Sequence, residues 1–217
     1  MENNTQKINY NKLMEDEIAT FGGKKPKLLL QVCCAPCSTH VITLLKENFE
    51  ITAYYYNPNI YPSEEFFKRE VEIKKLISYI GLDESTLVVP VYNPDDFYEK
   101  IKGLEKEKEG GARCTVCFNL RMGAAAKYAK ANGYDYFTTT LSISPHKNSA
   151  LLNKIGYNLQ EKYDIKYLPA DFKKKEGYKH SIQLSKEYGL YRQDYCGCEF
   201  SLEQSRQEQM EKANPQE

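Results

Sequence analysis

The 217 residues include no tryptophan and only three histidines, and neither sign of charge is in excess: 30 Lys and Arg stand against 30 Asp and Glu. A neutral balance argues against broad, sequence-independent binding to nucleic acid, which draws on a basic excess. It leaves room for a local basic face. Long apolar runs are also missing. The longest, "LLLQV" and "TLVVPV", fall far short of the ~20 residues that span a bilayer, so no membrane association is expected. The opening "MENNTQKINYNKLMEDEIATF" is polar and acidic and holds no apolar signal core. A cytoplasmic, reducing location is expected.

Cysteine is present seven times, and never alone. Cys33, Cys34 and Cys37 crowd into "QVCCAPCSTH", Cys114 and Cys117 into "RCTVC", and Cys196 and Cys198 into "CGC". Structural cysteines fill isolated apolar gaps and scatter along a chain. In a reducing compartment, clustered cysteines read as metal sites or redox catalysts rather than structural disulfides, and an odd count suits a disulfide framework poorly. One CxxC would say little. Three clusters, two of them with CxxC spacing, point to a thiolate-bound centre.

Periodicity gives the scaffold. Short apolar runs predict strands at 25–32, 50–59, 86–92, 135–142 and 165–171. Helical patterns fall at 38–48, 63–81, 93–111, 115–133, 148–164 and 178–188, the second opened by a capping signature at Ser63 and closed at Gly81. Strands alternating with helices predict an α/β fold, a three-layer α/β/α sandwich on a mostly parallel, Rossmann-like sheet. With no repeat and no linker, one domain is expected over 25–200, after an N-terminal extension at 1–24. The polar tail at 201–217 is expected to fray at its end.

On this layout Cys33 and Cys34 lie just past the carboxyl end of the first strand, where open α/β sheets bind ligands, and Cys37 enters the next helix. Cys114 and Cys117 sit at a helix start, where free N–H groups favour thiolate and three-residue spacing lets both reach one centre. In "CGC" a flexible glycine lets two thiols bind a metal or close a strained disulfide. Zinc and iron–sulfur clusters each take four thiolates, and a lone zinc site leaves three cysteines unexplained.

Other residues have two readings each. His146 and Lys147 in "SPHKN" follow the fourth strand: proton donor and phosphate contact, or a solvent loop. Asp171 opens "DFKKKEG" with Lys173, Lys174 and Lys175: catalysis and phosphate contact at the sheet edge, or a solvated charge run. Asn57 and Asn59 of "YNPN" read a base edge or only make a turn. Arg69 and Arg121 meet phosphate or form exposed helix ion pairs. His40 reads as packing, His180 as facing solvent, and Tyr54, Tyr55 and Tyr56 mostly as strand packing.

"LLLQVCCAPCSTHV", "YYYNPNIYPSEEFFKR", "GGARCTVCFNLRM", "TTTLSISPHKN", "ADFKKKEGY" and "YRQDYCGCEFS" together resemble the cobalamin-independent epoxyqueuosine reductase family, over nearly the whole chain apart from its two ends. The resemblance implies an adenine-nucleotide hydrolase-like fold. It implies two-electron reduction of epoxyqueuosine to queuosine at the wobble position of certain tRNAs, the last step of queuosine synthesis. It implies a 4Fe–4S cluster beside a second, mononuclear iron or a redox-active thiol pair, fed by an electron donor that the sequence does not identify. Carried over, Cys33, Cys34, Cys114 and Cys117 become cluster ligands, and Cys196 and Cys198 the redox pair or ligands of the neighbouring iron. Cys37 joins the second metal or lines the site. The competing readings are a thioredoxin-like thiol–disulfide oxidoreductase, which uses only "CAPC", a zinc-bound RNA-binding module, and a PP-loop ATP pyrophosphatase. "CCAPCS" stands where the last would carry its phosphate loop.

Overall fold

The computed structural model describes residues 8–213. Its centre is β1 (Lys27–Gln31), in which Leu28, Leu29 and Leu30 are all 0% exposed. Side chains alternate across a strand. Leu28 and Leu30 accordingly enter one apolar core and Leu29 the other. A strand buried on both faces needs cover on both sides, which the helices supply.

β1 pairs in parallel with β2 (Glu50–Tyr54) on one side and with β4 (Tyr136–Thr139) on the other. The edges are β3 (Leu87–Val88) and β5 (Lys166–Tyr167), giving the parallel order β3-β2-β1-β4-β5. Connections turn outward in opposite directions from β1 and β4, so the topological switch point lies between these two strands. The helices are α1 (Tyr10–Ala19), α2 (Ala35–Leu45), α3 (Ser63–Tyr79), α4 (Asp95–Tyr98), α5 (Ala112–Ala131), α6 (Ser149–Tyr163), α7 (Gly177–Glu187) and α8 (Glu199–Ala213). None of them is long and apolar enough to cross a membrane.

The α/β architecture and the parallel sheet agree with the sequence. Several boundaries do not. The strand expected at 86–92 stops after Leu87–Val88, because Pro90 has no N–H for a ladder and Val91 is 87% exposed. The helix expected at 93–111 survives only as α4; Gly103 and Gly110 take φ of +84° and +88°, a conformation that ends a right-handed helix. The strand expected at 165–171 is two residues long. Conversely, α2 starts three residues earlier than expected, with Pro36 pre-set for its first turn.

Two helices went unpredicted. α1 is capped by Asn9, whose side chain accepts from the Lys12 N–H at 3.1 Å, and it buries Met14 in the larger core. α8 takes up 201–213 of the polar tail; Ser201 is its one buried residue, so it has no apolar stripe for a sequence pattern to reveal. The fraying expected at the end of the tail concerns residues 214–217, which lie outside the described residues.

α2 and α7 pack closely because Gly177 has no side chain: a Cβ there would lie 2.0 Å from the Phe172 carbonyl and 2.6 Å from His40 Nε2. Here His180 leans on another side chain rather than facing only solvent. Its Nδ1 is 3.0 Å from His40 Nδ1, so at least one ring must be neutral. Burial, and then His180, push His40 down to about 4. A folded-state value below the unfolded one means stability present above about pH 6.5 and lost as pH falls towards about 4. The unfolding midpoint in urea should fall across that window, and His40→Gln should flatten the fall. An unchanged pH slope in the variant would place the titration elsewhere.

Gly156 of α6 sits against the Tyr167 ring, which is itself wedged by Phe137 and Tyr157. An added Cβ would come within 2.3 Å of the ring. Alanine gains ~1 kcal/mol in helix propensity. Overpacking costs about 1–3 kcal/mol and should win. Gly156→Ala is therefore expected to lower the unfolding free energy; a neutral or more stable variant would refute the close approach.

Candidate active site

The site forms where β1 ends. Val32 continues the strand line, Cys33 and Cys34 turn the chain, and Cys37 lies in the first turn of α2. The three sulfurs lie within 4.8 Å of one another, with Cys33 Sγ 3.7 Å from Cys34 Sγ. Hydrogen bonds from Cys34 and Cys37 hold the Cys33 thiol well below the ordinary thiol range against its burial, helped by Arg121 and Lys147. Burial, reinforced by Cys33, pushes Cys34 up to about 12, and its bonds to Cys33 and Cys34 push Cys37 up as well.

A second group of thiols comes from the start of α5 and the chain before α8. Cys114 accepts from the Gly110 N–H at 3.2 Å in the first turn of α5. Cys117, one turn on, is buried with Cys198 in a small apolar cluster around Phe97 and Ile101. Burial raises Cys114, Cys117 and Cys198, Cys117 to about 12. Cys196 and Cys198 add to the rise at Cys114 and Cys117, so the four thiols are within electrostatic reach of one another. All seven cysteines are free.

The "CGC" segment is held from below. Arg69 is 1% exposed, pairs with Glu65 at 2.7 Å, donates to the Cys196 carbonyl at 3.2 Å and the Tyr195 carbonyl at 3.5 Å, and lies beneath the Tyr195 ring. Gly197 has φ +139°, and a Cβ there would press on Arg69, Ile60 and Asn59 at 3.2–3.3 Å. The glycine between the two thiols is thus set by backbone conformation and close approach. Arg69 is a fastening for this loop and is closed off from solvent.

Asn57 is likewise inside. Its Nδ2 donates to the Val32 carbonyl at 3.0 Å, and its Oδ1 accepts from Arg121 Nη2 at 2.6 Å. Asn59 is buried beside Gly197. Asp171 pairs with Lys173 at 2.9 Å and accepts from Ser149 at 3.0 Å. Lys173 also donates to the Ser142 carbonyl, and Lys175 pairs with Glu15. Of the three lysines, Lys174 alone is exposed without an ion pair among the described residues.

A cavity of about 510 Å³ opens over the first thiol group. Cys33, Cys37 and Cys196 reach it, with Arg121, Lys147 and His146; Asn57, Asn59, Arg69, Asp171 and Lys174 do not line it. Burial works against the Lys147 ammonium, but Cys196, Cys33 and Cys37 more than offset it and hold the group charged. His146 is exposed at the rim. The sequence reading missed the opposite wall: Tyr178, Arg192 and Tyr195, then Gln204, Ser205 and Glu208 of α8. The readable signal was "YRQDY", directly before "CGC". Gln31, a lone amide in the apolar β1, was missed too.

A parallel α/β sheet that gathers thiols, rather than a phosphate-binding loop, at its switch point defines a cysteine-centred enzyme on a Rossmann-like scaffold. Comparison with known proteins gives the family. Residues 28–204 match the family model described as epoxyqueuosine reductase QueH, and the chain belongs to that family of oxidoreductases. It is 40% identical over 204 residues to the epoxyqueuosine reductase QueH of Streptococcus pyogenes serotype M1, covering 92% of this chain and 80% of that protein. The Staphylococcus epidermidis protein of the same name is 41% identical over 203 residues, covering 90% and 85%. That of Thermotoga maritima is 34% identical over 184, covering 85% and 94%. A solved structure, a predicted subunit of a tRNA methyltransferase from Methanocaldococcus jannaschii, overlaps with a TM-score of 0.48 at 15% identity over 74% of this chain and 76% of that one, too distant to bear on function. The family match decides against the thioredoxin-like, zinc-module and ATP pyrophosphatase readings.

Removing Arg69 leaves Glu65 buried without its cation, a change that costs about 3–5 kcal/mol. Arg69→Met should lose stability on that scale and speed alkylation of Cys196 in the metal-free protein, read by mass spectrometry. Unchanged alkylation would mean that Arg69 does not hold the loop.

Proposed function

We propose that this chain reduces the epoxide of epoxyqueuosine, carried at the wobble position of tRNA, to the alkene of queuosine. We propose further that it does so with a 4Fe–4S cluster and a second, mononuclear iron. One observation supports this most: thiols from two separate stretches of chain, Cys33 and Cys37 after β1 and Cys196 before α8, line one cavity at the switch point of the sheet, and Cys117 of α5 is within electrostatic reach of Arg121 on its wall. The donor set fits. Soft thiolates select iron–sulfur clusters, and all seven thiols are free. Cys33 and Cys34 from the β1–α2 corner and Cys114 and Cys117 from α5 would hold the cluster. Arg121 is within electrostatic reach of both Cys33 and Cys117, in keeping with one centre between the two corners. Cys37 and Cys196 on the cavity wall, with Cys198 behind, remain for the iron or for thiol chemistry. When bound, these groups supply single electrons and polarise the epoxide oxygen.

The chain's own residues supply the rest. Turning an epoxide into an alkene takes two electrons and two protons and releases the oxygen as water. Cys196 and Cys198, oxidised to a disulfide, would yield both electrons and both protons, and an external electron donor would then reduce the disulfide. Lys147, held charged on the cavity wall, would relay one of these protons to the departing oxygen. The cavity admits one base rather than a folded tRNA, so the wobble base must leave the anticodon stack. Lys174 is the lysine of its run left for a phosphate. Free thiols suit a cytoplasmic setting.

Anaerobically purified protein should be brown and carry acid-labile sulfide. Cys114→Ala or Cys117→Ala should abolish both the colour and the activity, whereas Cys196→Ser should keep the cluster and lose turnover. A colourless protein with one zinc, unchanged by iron and sulfide reconstitution, would sink this reading.

A further inference from the structure

Arg121 is 1% exposed, and no ion pair among the described residues includes it. Its Nε has no hydrogen-bond partner. Nη2 donates to a neutral amide, Asn57 Oδ1, at 2.6 Å. A buried guanidinium without a carboxylate is costly unless another negative charge meets it. Thiols are the groups that act on its charge: Cys117 lies one helical turn away on α5, and Cys33 and Cys196 share the cavity wall with Arg121. The carboxylates on that wall, Glu109, Asp194 and Glu208, form no ion pair with it.

Its aim is fixed as well. Asn57 is anchored to the Val32 carbonyl at 3.0 Å and takes a longer bond, 3.4 Å, from Gln31. Gln31 in turn accepts from Thr139 at 2.7 Å. The ends of β4 and β1 and the turn after β2 thus orient the guanidinium before anything binds. A tRNA phosphate, bulky and hydrated, would have to enter past the thiols to meet it.

We propose that Arg121 is the built-in counter-ion of the thiolate-held centre, a positioning residue that raises the centre's reduction potential rather than a contact for tRNA phosphate. The inference rests on the iron–sulfur reading above. Reduction adds one electron, and so one negative charge, to the centre without making or breaking a bond. A fixed positive charge beside it favours the reduced form.

The test is a dye-mediated dithionite titration of reconstituted protein, following cluster absorbance, with iron and sulfide measured in each sample. Arg121→Gln should need a more negative potential, by at least tenfold in the reduction equilibrium, ~59 mV for one electron. Arg121→Lys, which keeps the charge, should recover most of the shift. Asn57→Asp sets a carboxylate against the guanidinium and should move the potential in the same direction as Arg121→Gln; it carries the test if that variant does not fold. Clusters that titrate at the wild-type potential in both variants, whatever happens to turnover, would overturn the proposal. Wild-type protein that takes up no iron and sulfide would instead remove the iron–sulfur reading, and this inference with it.

Discussion

Gln31 ends β1 with an amide that is 0% exposed. A buried amide must find partners, and Gln31 finds them at the ends of three strands: Thr139 at the end of β4, Val32 just past its own strand, and Asn57 after β2. Asn57 then takes Arg121 from α5. This one chain of hydrogen bonds ties the switch point of the sheet to the helix that carries Cys117. Apolar packing holds the sheet and helices together but is indifferent to small slides. The buried polar chain is directional. It sets where the two thiol-bearing corners stand relative to each other, and the thiols' electrostatics follow from that placement.

A second buried arginine does a similar task with a different partner. Arg69 spends its charge on Glu65 and its remaining donors on the carbonyls of Tyr195 and Cys196. Arg121 has no carboxylate and faces sulfur. Two residues that look alike in the sequence are thus separated by what lies four positions away on their helices: Glu65 before Arg69, Cys117 before Arg121. The i,i+4 neighbour decided which one became a fastener for a loop and which one became a charge among thiols.

The parallel sheet was legible because β1 carries the apolar run Leu28 to Leu30 and β4 consists of aromatic and β-branched residues, and the site's position was legible because Cys33 comes just after β1. The first grouping of cysteines by sequence did translate into distance: Cys33, Cys34 and Cys37 stay together. What the sequence could not show is that Cys114 and Cys117 lie within electrostatic reach of Cys196 and Cys198, although some 80 residues separate the two stretches. The polar residues were legible as types and not as roles. Asn57, Arg69 and Asp171 read as surface contacts, yet tertiary burial turned each towards the protein itself. Periodicity reports which face of a helix is apolar, not what a buried polar group will find there. α8 was invisible for the same reason: a helix that buries one serine leaves no stripe.

That serine has a mechanical meaning. Ser201 accepts from the Gly197 N–H at 3.2 Å and donates to the Cys198 carbonyl at 2.8 Å, so the helix is pinned to the cysteine loop at its first turn. Farther along, Gln209 holds Asp194 at 3.0 Å, a residue of the same loop. α8 is thus tied to the "CGC" segment at its first turn and to the chain just before that segment in its later half. Its 15 residues span ~22 Å, and Gln204, Ser205 and Glu208 form one wall of the cavity. That wall and the loop of two thiols and a glycine are therefore built as one piece.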